Sequence, residues 1–237
     1  MVLHMAKKQR ENICKMKSKG DKGMDVMVEI KNLSKTYDGK NMVLDKFSYI
    51  FDKGRFYAIM GRSGAGKSTL LNIIGTIDCI TEGEVLVAGK NVTGLKEKEK
   101  AELRKKNIGF VFQGFYLNPY LSAEENVIVP MRINKDISIK ERKNIAEKLL
   151  IDFGVENLKD CLPSQMSGGE QQRVCIARAL ANNPDIILAD EPTGNLDEEN
   201  EKIVFSYLKE LATQGHTVIV VSHNEAVKNY ADEVINM

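Results

Sequence analysis

No apolar run in this chain of 237 residues approaches the roughly 20 residues that a bilayer-spanning helix requires. The basic N-terminus also lacks the apolar stretch of a secretory signal. Any membrane process the chain serves must therefore draw its crossing segments from another polypeptide. Cysteine is sparse: Cys14, Cys79, Cys161 and Cys175 lie far apart with no C-x-x-C spacing, which reads as a reduced, cytosolic set. Neither an internal repeat nor a low-complexity segment is found. Net charge is nearly missing too, at +1 from 34 Lys/Arg and 33 Asp/Glu. That balance hides an asymmetry, since residues 1–22 hold seven basic and two acidic side chains, a net of +5, and the rest sums to −4. A mildly acidic body gives no reason to expect a nucleic-acid partner. Residues 1–24 read as a basic, disordered extension with Met24 and Met27 as alternative starts, ahead of one domain over residues 25–237. A hydrophobic content of 43% can supply its core.

What the chain does have is Gly61-Arg62-Ser63-Gly64-Ala65-Gly66-Lys67-Ser68-Thr69, set between the apolar run Phe56 to Met60 and the run Leu70-Leu71-Asn72-Ile73-Ile74. That order predicts a strand, a glycine loop and a helix. A phosphate chain needs backbone N–H groups aimed at it, glycines free to take positive φ, a helix N-terminus behind them and a lysine for the outer phosphates. All are present. Short alternating segments over residues 28–51 and 83–92, broken by Asp38-Gly39 and Gly89, predict an antiparallel sheet, and Phe110-Val111-Phe112-Gln113 reads as a buried strand ending in a polar residue. Ile145, Leu149, Ala146, Leu150 and Phe153 follow a helical period closed by Gly154. Asp197 is placed to cap a further helix with Ile203, Val204, Tyr207, Leu208 and Leu211 facing inwards and Gly215 as its stop.

A second block, Pro163-Ser164-Gln165-Met166-Ser167-Gly168-Gly169-Glu170-Gln171-Gln172-Arg173, opens another helix with Ser167 as N-cap. It is followed by Asp185-Ile186-Ile187-Leu188-Ala189-Asp190-Glu191, by Pro192-Thr193-Gly194-Asn195-Leu196-Asp197, and by a strand leading into Ser222-His223. With these motifs in this order the chain resembles the ATP-binding-cassette ATPases from about Val28 to its end. The resemblance implies an α/β fold of the P-loop NTPase (RecA-like) class. It has a mostly parallel sheet core, an N-terminal antiparallel β subdomain and an inserted helical subdomain over about residues 114–181.

Hydrolysis of a phosphoanhydride calls for neutralised charge, a placed metal and a placed water. Residues 61–69 would bind the phosphates, with Lys67 on the outer two and the Ser68 hydroxyl on Mg²⁺. Asp190, at the end of an apolar strand, would hold that metal through water, and Glu191 beside it would be the general base. The remaining roles are implied by the resemblance alone. Tyr37 would stack on adenine, Gln113 would touch metal or water, and His223 would contact the γ-phosphate. Ser167, Gly168, Gly169 and Glu170 would bind the γ-phosphate of ATP held by a second copy, with Asp197 also at the nucleotide. Glu170 departs from the glutamine of many members. Two glycines opening a helix are poor helix formers and need such a reason.

The motif wording is similar to the branch that serves lipoprotein release, macrolide and antimicrobial-peptide export, and bacterial cell division. The resemblance thus implies an ATPase using ATP and Mg²⁺, a homodimer with ATP at its interface, and a separate transmembrane permease. The location implied is cytoplasmic, peripheral on the inner face of the membrane, with residues 113–130 receiving the permease through Phe115, Tyr116 and Leu117. The alternative is a soluble, non-transport ATPase switch of DNA repair or the ribosome. Those types carry a long coiled coil or a second cassette, and neither feature is in this sequence.

Overall fold

A computed structural model describes residues 25–237. The basic extension and Cys14 lie outside the described residues. Strands β1 (Val26–Thr36), β2 (Met42–Asp52), β4 (Glu82–Val87) and β5 (Lys90–Asn91) form an antiparallel sheet in the order β2-β1-β4-β5. Strands β3 (Phe56–Met60), β6 (Ile108–Phe112), β7 (Ile186–Asp190), β8 (Thr217–Val221) and β9 (Glu233–Asn236) form a second sheet in the order β6-β7-β8-β3-β9. Every neighbouring pair in that second sheet is parallel.

Strands β3, β7 and β8 are nearly unbroken apolar runs because both faces of their sheet are covered. Side-chain alternation then sorts the core. Phe56, Ala58 and Met60 join Ile187, Ala189, Val218 and Val220 on one face. There they meet helices α3 (Ala123–Ile128), α4 (Ile139–Asp152), α5 (Gly168–Leu180) and α6 (Glu198–Thr213). Tyr57, Ile59, Leu188, Ile219 and Val221 point the other way. They pack on α1 (Lys67–Ile74), on Leu103 of α2 (Glu97–Asn107), and on Val28, Ile30 and Val85 of the antiparallel sheet. Helices cover both faces of this sheet, and the antiparallel sheet shares one of them.

Helix α1 has only 8 residues, too few to persist alone. Leu70, Leu71, Ile73 and Ile74 are at most 1% exposed, and at ~1.5–3 kcal/mol per buried aliphatic side chain they anchor it by packing. In α6 the Asp197 carboxylate accepts from Asn200 N at 2.8 Å, as its capping pattern predicts. The buried stripe is wider than expected. Phe205 is fully buried, whereas Ile203 and Tyr207 are only half-buried. The helix is wedged between the sheet and the turn Glu225–Asn229, so Phe205 meets Tyr230 at 5.4 Å between ring centroids.

Candidate functional site

Parallel register decides where the strands end relative to one another. Phe112 lies beside Asp190, Asp190 beside Val221, and Val221 beside Ile59. The residues that follow, Gln113, Glu191, Ser222 and the loop 61–66, therefore share the carboxyl edge of the sheet, where open parallel sheets bind ligands.

The loop bends through Gly61, Gly64 and Gly66, at φ 156°, 79° and 88°. Gly66 occupies the N-cap of α1 and offers no side chain to its first-turn amides. Those donors stay available to an anion. Lys67, 8% exposed, arches back so that Nζ donates to the carbonyls of Gly61 at 2.9 Å and Arg62 at 3.0 Å. Its ammonium thus sits over the loop mouth. A Cβ at Gly66 would lie 2.7 Å from the Val43 carbonyl oxygen and 2.8 Å from Leu44 Cδ2, on top of a left-handed φ. Gly66→Ala is accordingly expected to cost about 2 kcal/mol or more of stability, read as a lowered melting temperature without nucleotide. An unchanged melt would show that the loop relaxes freely.

Ser68, one residue on, donates its hydroxyl to Asp190 Oδ1 at 3.1 Å. Burial pushes the Asp190 carboxyl above its ordinary range, opposed by the Ser68 hydrogen bond and the Lys67 charge and reinforced by the Glu191 charge. A carboxylate in that position is not a helix cap, since it ends strand β7. The pairing of a half-buried carboxylate with a hydroxyl is an all-oxygen donor set that fits Mg²⁺.

Glu191 takes φ 48°, a left-handed conformation that costs a residue other than glycine ~1–3 kcal/mol. The backbone is pinned by Glu191 N donating to the Val221 carbonyl at 2.9 Å. Its Oε2 gathers the Ser222 hydroxyl at 3.3 Å, His223 N at 3.3 Å and His223 Nδ1 at 2.9 Å. The Glu191 side chain is 19% exposed and that of His223 is 71% exposed, so the imidazole is the solvent-facing member. Gln113 is tied to Asn195 in both directions: Gln113 Nε2 donates to Asn195 Oδ1 at 3.4 Å, and Asn195 Nδ2 to the Gln113 carbonyl at 3.0 Å. Ser68, Gln113, Asp190, Glu191 and Asn195 line a cleft of about 340 Å³ with Phe112, Gly114 and Tyr116.

Tyr37 sits to one side of this cleft. Its hydroxyl donates to Asp78 at 2.6 Å and lies 3.4 Å from Thr69 Oγ1, while the Lys35 ammonium stands 4.5 Å from the ring centroid. The ring remains 65% exposed. Ser167 to Glu170 form a separate group. Ser167 N donates to Glu170 Oε2 at 2.7 Å and the Ser167 hydroxyl donates to the same oxygen at 2.8 Å. The backbone bond first, then the hydroxyl, holds the Glu170 carboxyl below the usual range. Glu170 is thus the reciprocal half of a capping box. None of these bonds reaches the phosphate loop. Asp197 belongs with them, because Asn200, which bonds its carboxylate, also accepts from Arg173 and lies where a Gly169 Cβ would go.

Sequence reasoning did not single out Asn195 or Ser222. Asn195 lies inside a quoted motif, but its hydrogen bonds to Gln113 join residues 82 positions apart. Ser222 follows a strand, and its hydrogen bond to Glu191 joins residues 31 positions apart.

A family model described as ABC transporter matches residues 44–194. An uncharacterized ABC transporter ATP-binding protein of Methanocaldococcus jannaschii is 45% identical over 214 residues, which cover 89% of this chain and 95% of that protein. The macrolide export ATP-binding/permease protein MacB of Pasteurella multocida is 44% identical over 89% of this chain, which spans 33% of MacB's own length. A solved dimeric ATP-binding cassette, in a post-hydrolysis state bound to ADP and Pi, superposes with a TM-score of 0.81 at 43% identity over 89% of this chain and 94% of that one.

Proposed function

Since the chain belongs to the ABC transporter family, by its family-model match and its likeness to an ATP-binding protein along nearly that protein's whole length, we propose that it is a transporter's ATP-hydrolysing subunit, energising a separate transmembrane permease. The observation that carries the reading is the pair of carboxylates on one sheet edge. One is hydrogen-bonded to a hydroxyl of the phosphate loop and the other is gripped by Ser222 and His223.

Each residue then has a task. Loop amides and Lys67 receive the phosphate chain, with the Lys67 ammonium exchanging its two carbonyl contacts for phosphate oxygens. Ser68, Asp190 and Gln113 would hold Mg²⁺, which when bound neutralises phosphate charge. Glu191 takes the proton of the attacking water, its Oε2 held by protein donors. His223, the exposed partner, is free to turn towards the outer phosphate. Tyr37 offers an open ring for adenine. Ser167, Gly168, Gly169, Glu170 and Asp197 would complete the site of a second copy. The Ser167 hydroxyl is engaged by Glu170, which leaves the amide end of α5 as the anion contact. A Cβ on Gly168 would meet Leu196 Cδ2 at 3.6 Å, an ordinary contact distance, so that position is not closed by a clash. Phosphate release from MgATP by the purified chain, lost in Lys67→Ala, tests this reading. No ATP-dependent release would end it.

This reading puts the chain in the cytoplasm, peripheral on the inner face of the membrane. Among the described residues no helix is long and apolar enough to cross a bilayer. The likeness to a macrolide exporter supports export or release of a peptide, lipoprotein or antibiotic-like molecule. The sequence pointed to Phe115, Tyr116 and Leu117 as the permease contact, and the structure divides them. Leu117 packs against the core, and Phe115 is half-buried, although Arg178 holds the carbonyls of both Phe115 and Tyr116. Tyr116 and Tyr120 are 73% and 88% exposed. Tyr120→Ser is expected to abolish stimulation of ATPase by the permease while the isolated rate changes by less than about twofold, as for other exposed substitutions. Normal coupling in that variant would move the docking site elsewhere. Leu117→Ser should instead lower the melting temperature, by the equivalent of about 1–2 kcal/mol.

A further inference from the structure

Ser222 is fully buried between the end of β8 and His223. Its hydroxyl accepts Asn224 N at 3.0 Å, which leaves its proton to be donated to Glu191 Oε2 at 3.3 Å. The direction of that hydrogen bond is therefore set by the backbone. Asn224 is fixed on both sides of its amide, since Oδ1 accepts Ala226 N at 2.9 Å and Nδ2 donates to Glu201. Glu201 is 8% exposed on α6, and a carboxylate so deeply placed needs a donor. A chain of hydrogen bonds thus runs from Glu201 through Asn224 and Ser222 to Glu191.

Glu191 needs such support. Its backbone is left-handed, and the neighbouring Asp190 carboxyl is of like charge, so nothing intrinsic to Glu191 aims its side chain. We infer that Ser222 is a positioning residue for the base. Its hydroxyl, held by the Asn224 turn that Glu201 latches, pins Oε2 and turns Oε1 outwards to the water. The inference rests on Glu191 acting as that base. Ser222 touches no phosphate-loop residue among its hydrogen bonds, so its influence falls on turnover rather than on nucleotide affinity.

Ser222→Ala is expected to lower kcat about tenfold, a fraction of the ~10² or more expected from losing a base outright, with KM for ATP changed by less than about twofold. Ser222→Thr keeps the hydroxyl and should recover most of kcat. Glu201→Ala, which leaves Ser222 in place but frees Asn224, should lower kcat in the same direction. In a Glu191→Gln background, Ser222→Ala should add no further loss, because it acts through the group already removed. Wild-type kcat in Ser222→Ala beside a crippled Glu191→Gln would overturn the positioning role and spare the base. So would a multiplicative loss in the double variant, or a lowered kcat that Ser222→Thr fails to recover. Near-normal turnover in Glu191→Gln alone would instead remove the base itself.

Discussion

Glu191→Gln is expected to bind ATP about as well as the unaltered chain while hydrolysing it ~10² or more times slower. The amide keeps the volume of the carboxylate, and its oxygen can still accept from the Ser222 hydroxyl and His223 N, two of the groups that meet Oε2. What it cannot do is take a proton. The Lys67 loop and the Ser68–Asp190 pair are untouched by the change, so affinity should survive. With hydrolysis blocked, ATP should hold two copies together, because a ligand that binds the pair better than the single chain favours the pair. Size-exclusion chromatography with and without ATP reads that association, and phosphate release reads the turnover. A variant that hydrolyses at near-normal rate would take Glu191 out of the base role.

Mixing two inactive variants is expected to restore activity. The hydrogen bonds of Ser167 are spent inside its capping box and reach nothing on the loop before Lys67, so within one chain these two helix ends are not joined. A head-to-tail pair gives each site its lysine loop from one copy and its Ser167-Gly168-Gly169 from the other. Lys67→Ala and Ser167→Arg homodimers each lack one half at both sites. In a mixed dimer both defects fall in one site and the other is intact. Random pairing of equal amounts yields half mixed dimers, and hence roughly a quarter of unaltered activity if one site can turn over alone. Ser167→Arg also removes a helix cap worth about 1 kcal/mol, so its melting curve must show a folded chain at the assay temperature. Flat specific activity on dilution, together with no recovery on mixing, would leave the shared site without support.

Local physics made much of this legible. Three glycines ahead of Lys67 needed no tertiary information, because positive φ, a bare N-cap and a following apolar run are neighbours in sequence. The Asp197 and Ser167 caps were equally visible, since the capping bond closes over three residues. Helix α2 was not. Apart from Leu103 it buries only Lys100, and a helix so polar shows no 3.6-residue apolar period. Phe205 was missed for the opposite reason, because α6 is covered on more than one side and its buried stripe is too broad to centre from periodicity.

By itself, then, the sequence determined the phosphate loop, the capped helices and the apolar strands that carry Asp190 and Glu191, all set by interactions spanning a few residues. Only the tertiary structure decided that Phe112, Asp190 and Val221 lie side by side, that Gln113 meets Asn195, and that Ser222 closes on Glu191. Those contacts depend on the register of parallel strands joined by long crossovers. Register is fixed by how whole faces of the sheet bury their side chains, and no short segment carries that information.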